Sequence, residues 1–340
     1  MATIHDVAKA AGVSIATVSA RVNASAPVSP ALARRVDEAI ARTGYRPDAL
    51  ARSLKTGVTR TIGVLAGDPA DPVSAGILAG IAEAAAATGY AVLLSATGRG
   101  PDRAETALRL VSGRRPDGVI AVPGVAESRH AWLLDLPKPA VVVGDPPEGA
   151  DLDAVAPDRA GAAEAATAHL TELGHRRIAL VIGQGHAAPG ERAVEGYRRA
   201  LAARDIRFEP RLVRVVGKGG ADRQLQAREV LRALLAGAEW PTALVVLDGI
   251  LAVGMLGAFA PLGLACPGGM SVVALGDADC AAYVVPPLTA VPVPARELGG
   301  AAVRLLLDRI AGKSGPEPRR ILVPPAPVMR ASTAPPPAPA

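Results

Sequence analysis

From residue 61 to residue 275 the chain repeats one alternation: an apolar run of four to six residues, then a longer stretch rich in alanine and leucine. The runs fall at 61–66, 90–95, 118–122, 140–143, 177–182, 212–216, 243–247 and 271–275. Short runs without polar alternation suit strands buried on both faces. Such strands belong to parallel sheets, whose crossover helices cover both sides. The pattern predicts an α/β fold built on parallel sheets, and 340 residues leave room for more than one domain. No apolar run approaches the ~20 residues of a membrane helix. The start, MATIHDVAKAAG, has no basic flank before an apolar segment, so no secretory leader is expected. Cys266 and Cys280 form no CxxC pair and no disulfide framework, which suits a reducing, cytoplasmic setting.

The charge is concentrated at one end. Residues 1–60 hold nine Lys/Arg and four acidic residues, whereas the other 280 hold 28 of each. A small basic module on a neutral large one is the electrostatic footprint of a polyanion binder, although a solvated basic arm has the same charge. The segment has internal order. Thr3 can cap a helix, with Asp6 three residues on. Ile4, Val7, Ala8 and Ala11 then share one helical face. Gly12 suits a tight turn. Ser14 can cap a second helix through Thr17, Val18 and Val22. Helix, short glycine-containing turn, helix is the helix-turn-helix pattern, with small Ala8 at the crossing and Val18 facing inward. A third helix reads from Ser29 and Pro30 through Val36 and Ile40 to Gly44.

These residues carry a resemblance. TIHDVAKAAGVSIATVS at 3–19, Asn23, PVS at 27–29, GYRP at 44–47 and ALARSLKTG at 49–57 resemble the DNA-binding headpiece and hinge of the LacI/GalR family of bacterial transcription regulators. It continues through TIGVL at 61–65, PDGVIAVP at 116–123, HLTELGHRRIALVIG at 169–183, ERAVEGYRRAL at 191–201, PPLTAV at 286–291 and RAST at 330–333. The resemblance implies an all-α helix-turn-helix headpiece (1–46), a hinge helix (47–58) and a two-lobed, periplasmic-binding-protein-like domain with parallel sheets (59–333). The last segment, 334–340, is proline-rich and expected to be disordered. The implied function is a dimeric repressor that binds a palindromic double-stranded DNA operator under the control of a small-molecule effector. A solute-binding protein of the same fold is the alternative.

By the same resemblance, Ser14 opens the reading helix and Ile15, Ala16 and Ala20 face base edges. Thr17 and Ser19 lie near phosphates, and Asn23 is counted with the DNA-binding residues. The family usually has arginine where Ala20 stands. Here the arginine is Arg21, about 100° further round the helix. Either Arg21 swings to a phosphate or the helix end is locally rotated. Ile15 and Ala16 offer only apolar contacts, such as with a thymine methyl. In the hinge, Leu54 takes the position of a leucine that wedges into the minor groove, and Ala51 permits close helix approach. Leu54 spaced four residues from Leu50 also suits ordinary packing.

The implied effector site is altered. In Asp68-Pro69-Ala70-Asp71-Pro72-Val73-Ser74 the aromatics often found after the proline are Val73 and Ser74. Asp158 matches a cleft-facing position. Arg192 matches an arginine that grips hydroxyls or carboxylates, with an ion pair as its other reading. An Asn-Asp pair becomes Leu247-Asp248, and a usual aspartate falls at Gly276, with Asp277 next. Phe, Trp and Tyr make up only 2% of the chain. A ring, an amide and a carboxylate useful for sugars are thus missing, which leaves a smaller or less polar ligand, one held through Arg192 and Asp248, or a silent pocket.

No enzyme is expected. Gly183-Gln184-Gly185-His186 lacks the third glycine of a dinucleotide loop, since Gly190 comes two positions late. The five histidines have no metal-ligand spacing, no catalytic constellation is evident, and neither cofactor nor metal is called for. His175 reads as structural, and Trp132 and Trp240 as packing.

Overall fold

The computed structural model describes residues 2–23, 25–45, 57–98, 101–122, 136, 138–146, 150–183, 187–216, 223–236, 240–313 and 315–337. The chain divides into two compact units. The smaller comprises residues 1–61 with 115–117, and the larger 62–114 with 118–340. Ala51 and Leu54 lie outside the described residues.

The smaller unit is built from α1 (Ile4–Ala11), α2 (Ile15–Asn23) and α3 (Pro30–Thr43). Its helix ends follow the local sequence. The Thr3 hydroxyl accepts from the Asp6 N–H while the Asp6 carboxylate accepts from the Thr3 N–H, a complete capping box. Gly12 ends α1 at φ 60°, a left-handed backbone that glycine adopts without strain. The Ser14 hydroxyl accepts from the Thr17 N–H at 3.1 Å and opens α2. Val7, Ala8, Ala11, Val18, Val36 and Ala39 form one small core. Arg35 on α3 fastens the turn by donating to the carbonyls of Ala11 and Gly12.

The larger unit carries two parallel sheets. The first is ordered β11-β5-β4-β3-β1-β2 and the second β10-β9-β8-β6-β7. All eight apolar runs are strands: β1 (Thr61–Ala66), β2 (Ala91–Ala96), β3 (Gly118–Ala121), β4 (Ala140–Val143), β6 (Ile178–Ile182), β7 (Val213–Val215), β8 (Ala243–Leu247) and β9 (Ser271–Leu275). Three more complete the sheets: β5 (Asp153–Pro157), β10 (Thr289–Val291) and β11 (Arg320–Val323). The helices α4 (Pro72–Ala87), α5 (Pro101–Ser112) and α10 (Ala295–Ile310) belong with the first sheet. With the second go α6 (Arg159–Glu172), α7 (Ala187–Ala202), α8 (Arg223–Leu235) and α9 (Gly249–Phe259). Helices α4 and α10 touch backbone to backbone, so a Cβ added at Gly80 would collide with the Arg296 carbonyl. No helix among the described residues is long and apolar enough to cross a membrane.

The chain passes between the sheets three times: after β5, after β10 and after β11. Every passage carries proline: Pro157, Pro292 with Pro294, and Pro324 with Pro325 and Pro327. Proline fixes φ and removes a donor, so these connections have little backbone freedom of their own.

Residues 334–337 correct the expectation of a disordered tail. They are seated on the second lobe through a buried polar cluster. The Ser332 hydroxyl donates to the Val272 carbonyl and accepts from the Thr289 N–H. His175 donates from Nε2 to the Ala334 carbonyl at 2.8 Å, so its Nδ1 accepts from the Thr242 hydroxyl. The Ser271 hydroxyl also donates to Ala334. Burial lowers the His175 pKa, which keeps the ring in the neutral form this arrangement needs. Proline richness argued for disorder, but the Ala334 carbonyl is what completes the histidine. Ending the chain at Thr333 is therefore expected to cost about 1–3 kcal/mol, the penalty for a buried donor left unpaired. Thermal melting of the truncated chain checks this, with a fall of several degrees expected and an unchanged midpoint contrary to it.

Candidate functional site

In the smaller unit α2 presents a surface of unusual composition. Val18 points into the core with no exposure. Ala16 and Ala20 lie two residues to either side of it, about 200° away on the helix. They therefore face outward, flanked by Ile15, which is 44% exposed. The polar side chains of the helix are engaged locally. The Ser14 and Thr17 hydroxyls are 2.9 Å apart. The Asn23 amide donates to the Ser19 carbonyl and hydroxyl.

Arg21, at its displaced position, has a partner within the protein. It lies beside the core-facing side of α2 and turns to α3, where its Nε and Nη2 donate to the two carboxylate oxygens of Asp37 at 3.0 and 2.7 Å. Helix α2 runs regularly to Asn23, with no local rotation of its end needed to place the arginine. Hydrogen bonding to Arg21 holds the Asp37 carboxyl below its usual range, and Asp37 raises the Arg21 guanidinium in turn. Sixteen residues separate the partners, so no local spacing signals this pair.

In the larger unit the effector candidates gather at the carboxyl ends of strands, where open α/β sheets bind ligands. Asp71 follows β1, Asp158 follows β5, Asp248 follows β8 and Gly276 follows β9. The three carboxylates are engaged as helix caps. Asp71 accepts from the Ser74 N–H, Asp158 from the Gly161 N–H and Asp248 from the Leu251 N–H, each at 2.8–2.9 Å. Val73 lies in the first turn of α4 and is partly exposed.

Asp158 and Gly276 line one cavity of about 30 Å³, together with Leu247, Leu275 and all three inter-sheet passages (Pro157, Val291–Pro294, Val323, Pro325). That is far below the roughly 300–1,000 Å³ of small-molecule sites. Asp71, Val73, Arg192 and Asp248 are not among its lining residues. Arg192, on α7 of the second lobe, pairs at 3.0 Å with Asp145, which follows β4 in the first. Arg192 thus makes an ion pair within the larger unit, with Asp145 as its partner. The only sequence signal of Asp145 is a position just after a strand. Asp277, next to Gly276, is bound bidentately by Arg330.

Comparison with known proteins accounts for both units. Residues 3–48 match the bacterial regulatory proteins of the lacI family, and residues 167–333 match the periplasmic binding protein-like domain. The HTH-type transcriptional repressor PurR of Aliivibrio fischeri is 32% identical over 316 residues, covering 92% of this chain and 93% of that protein. A lac repressor dimer bound to operator and the anti-inducer ONPF superposes with a TM-score of 0.77 at 26% identity, covering 98% of this chain and 99% of that one. The transcriptional regulator CelR in complex with cellobiose gives a TM-score of 0.70 at 29% identity over 98% of this chain and 100% of that one. Over nearly its whole length the chain is thus similar to transcriptional repressors and regulators, and it belongs to the lacI family of bacterial regulatory proteins.

Proposed function

We propose that α2 is the DNA-reading element of this repressor. In this reading Ser14 to Asn23 enter the major groove, Ile15, Ala16 and Ala20 face base edges, and Thr17 and Ser19 lie near phosphates. The observation that carries it is the exposed outer face of α2 on a small unit whose core is closed without that face. The smaller unit supplies the positive charge that phosphates require. Two copies related by a two-fold axis read the two halves of a palindrome, so the dimer and the operator share one symmetry. The reading assigns the chain to regulation rather than catalysis, and to the cytoplasm, where its DNA is.

The larger unit senses a small molecule between its lobes. CelR binds cellobiose, but here Asp71, Asp158 and Asp248 already serve as caps and Arg192 is paired with Asp145. A ligand of this cleft competes with those bonds, which favours a smaller or less polar molecule than a disaccharide, or one with an anionic group able to replace Asp145 on Arg192.

Salt titration of duplex binding tests the reading. A repressor that makes 6–10 phosphate contacts is expected to lose affinity about 10³–10⁵-fold between 50 and 200 mM salt. Binding that is flat in salt, or absent at low salt, would favour a solute-binding role instead.

A further inference from the structure

The base-reading surface of α2 carries no side chain able to make a bidentate hydrogen bond to a base pair. Distinguishing base pairs by hydrogen bonds takes such a side chain: arginine or lysine for guanine, asparagine or glutamine for adenine. At the start of α2 Ile15 and Ala16 are exposed, and Ala20 in its middle is partly exposed. Arg21, the single charged residue in IATVSARVN, is held by both carboxylate oxygens of Asp37 on the side of the helix next to α3. The Asn23 amide, at the far end of the helix, is spent on Ser19. In the major groove the one apolar feature of a base edge is the C5 methyl group of a pyrimidine. An exposed isoleucine beside two alanines suits that feature, because burying a methyl against them removes apolar surface from water on both sides.

We infer that this repressor selects its half-site through C5 methyl groups of pyrimidines packed against Ile15, Ala16 and Ala20, with Asp37 acting as a positioning residue that keeps Arg21 off the base edges. The inference rests on α2 being the DNA-facing helix. Two natural sources share the chemistry, thymine and 5-methylcytosine, and the experiment separates them.

Duplexes are selected from a random pool with the full-length protein at low salt, and the selected half-site is then altered one atom group at a time. Replacing thymine by uracil removes only the methyl group. It is expected to weaken binding about three- to five-fold at each contacted position, the worth of one buried carbon. In Ile15→Ala the same replacement is expected to cost markedly less, because the methyl has lost its partner. Installing 5-methylcytosine for cytosine at a contacted position should tighten binding if the methyl is read regardless of base. No gain there, with the uracil penalty intact, narrows the source to thymine and supports the inference in that form. Moving the arginine back, Ala20→Arg with Arg21→Ala, should introduce a requirement for guanine that the parent lacks. Uracil duplexes bound as tightly as thymine duplexes would overturn the inference and leave DNA binding intact. A parent strongly weakened by 7-deazaguanine would do the same, since that probe reports hydrogen bonding to N7. Failure to select any duplex would sink the DNA-reading assignment of α2 along with it.

Discussion

Replacing Asp153 by alanine is expected to destabilise the larger unit by about 3–5 kcal/mol, the usual cost of removing one partner from a buried ion pair. Asp153 opens β5 with a side chain only 3% exposed, against 16% for Arg309. It accepts from Arg309 Nε at 2.5 Å and Nη2 at 2.8 Å, and from the Arg319 N–H at 2.7 Å. Burial works to raise its pKa, but the Arg309 guanidinium and the Arg319 N–H outweigh burial and hold it below the usual carboxylate range. One carboxylate thus ties α10, β5 and the start of β11 together. Alanine would leave the Arg309 charge half enclosed without its partner. Asp153→Asn keeps an acceptor and removes the charge, so a smaller loss is expected. The damage should centre on β11, an edge strand whose only strand neighbour among the described residues is β5. Denaturant unfolding gives the size of the loss, and hydrogen exchange at residues 320–323 its location. An Asp153→Ala protein with an unchanged midpoint would mean that the pair contributes no net stability.

Asp153 also shows where the sequence stops being informative. Eight strands announce themselves as apolar runs, and six of them (β1, β3, β4, β6, β8 and β9) are buried along nearly their whole length, whereas β2 and β7, at sheet edges, are partly exposed and β7 is interrupted by Arg214. β5 begins with aspartate and ends with proline, β10 is three residues long, and β11 begins with Arg320 after PEPR and is exposed over its first three residues, so none of the three has that signature. Helix ends are legible where the signal is local, as with Thr3 and Asp6, Gly12 and Ser14. Asp71 before Pro72 also has the form of a cap followed by a first-turn proline, a local clue that competes with its reading as a ligand group. Long-range partners leave no trace in local sequence. Nothing near Arg21 points to Asp37, nothing near Arg192 to Asp145, and nothing near His175 to Thr242, Ser271 or Ala334. The sequence therefore identifies which side chains have the chemistry to read DNA or hold a ligand, and the fold decides which are already engaged. All five charged candidates, Arg21, Asp71, Asp158, Arg192 and Asp248, are engaged within the protein.

Val18→Asp is expected to abolish DNA binding while leaving the larger unit's melting unchanged. Val18 is fully buried against Val7, Ala8, Ala11, Val36 and Ala39. The three helices span residues 4–43, and at roughly 0.05–0.15 kcal/mol per residue such a unit has only about 2–6 kcal/mol of stability. An unpaired carboxylate in its core costs several kcal/mol, comparable with that whole margin. Val18→Ala removes only apolar volume and should cost about 1–3 kcal/mol. It should leave the unit folded and DNA binding weakened by the fraction unfolded alone. The two substitutions thus form a graded pair at one position that touches no DNA. The core of the larger unit shares no residue with this cluster. A melt of Val18→Asp should therefore retain the transition of the larger unit while duplex binding is lost at every salt concentration. Retention of full affinity would show that DNA is read by something other than a folded α2. Loss of the larger unit's transition as well would show that the two units unfold as one.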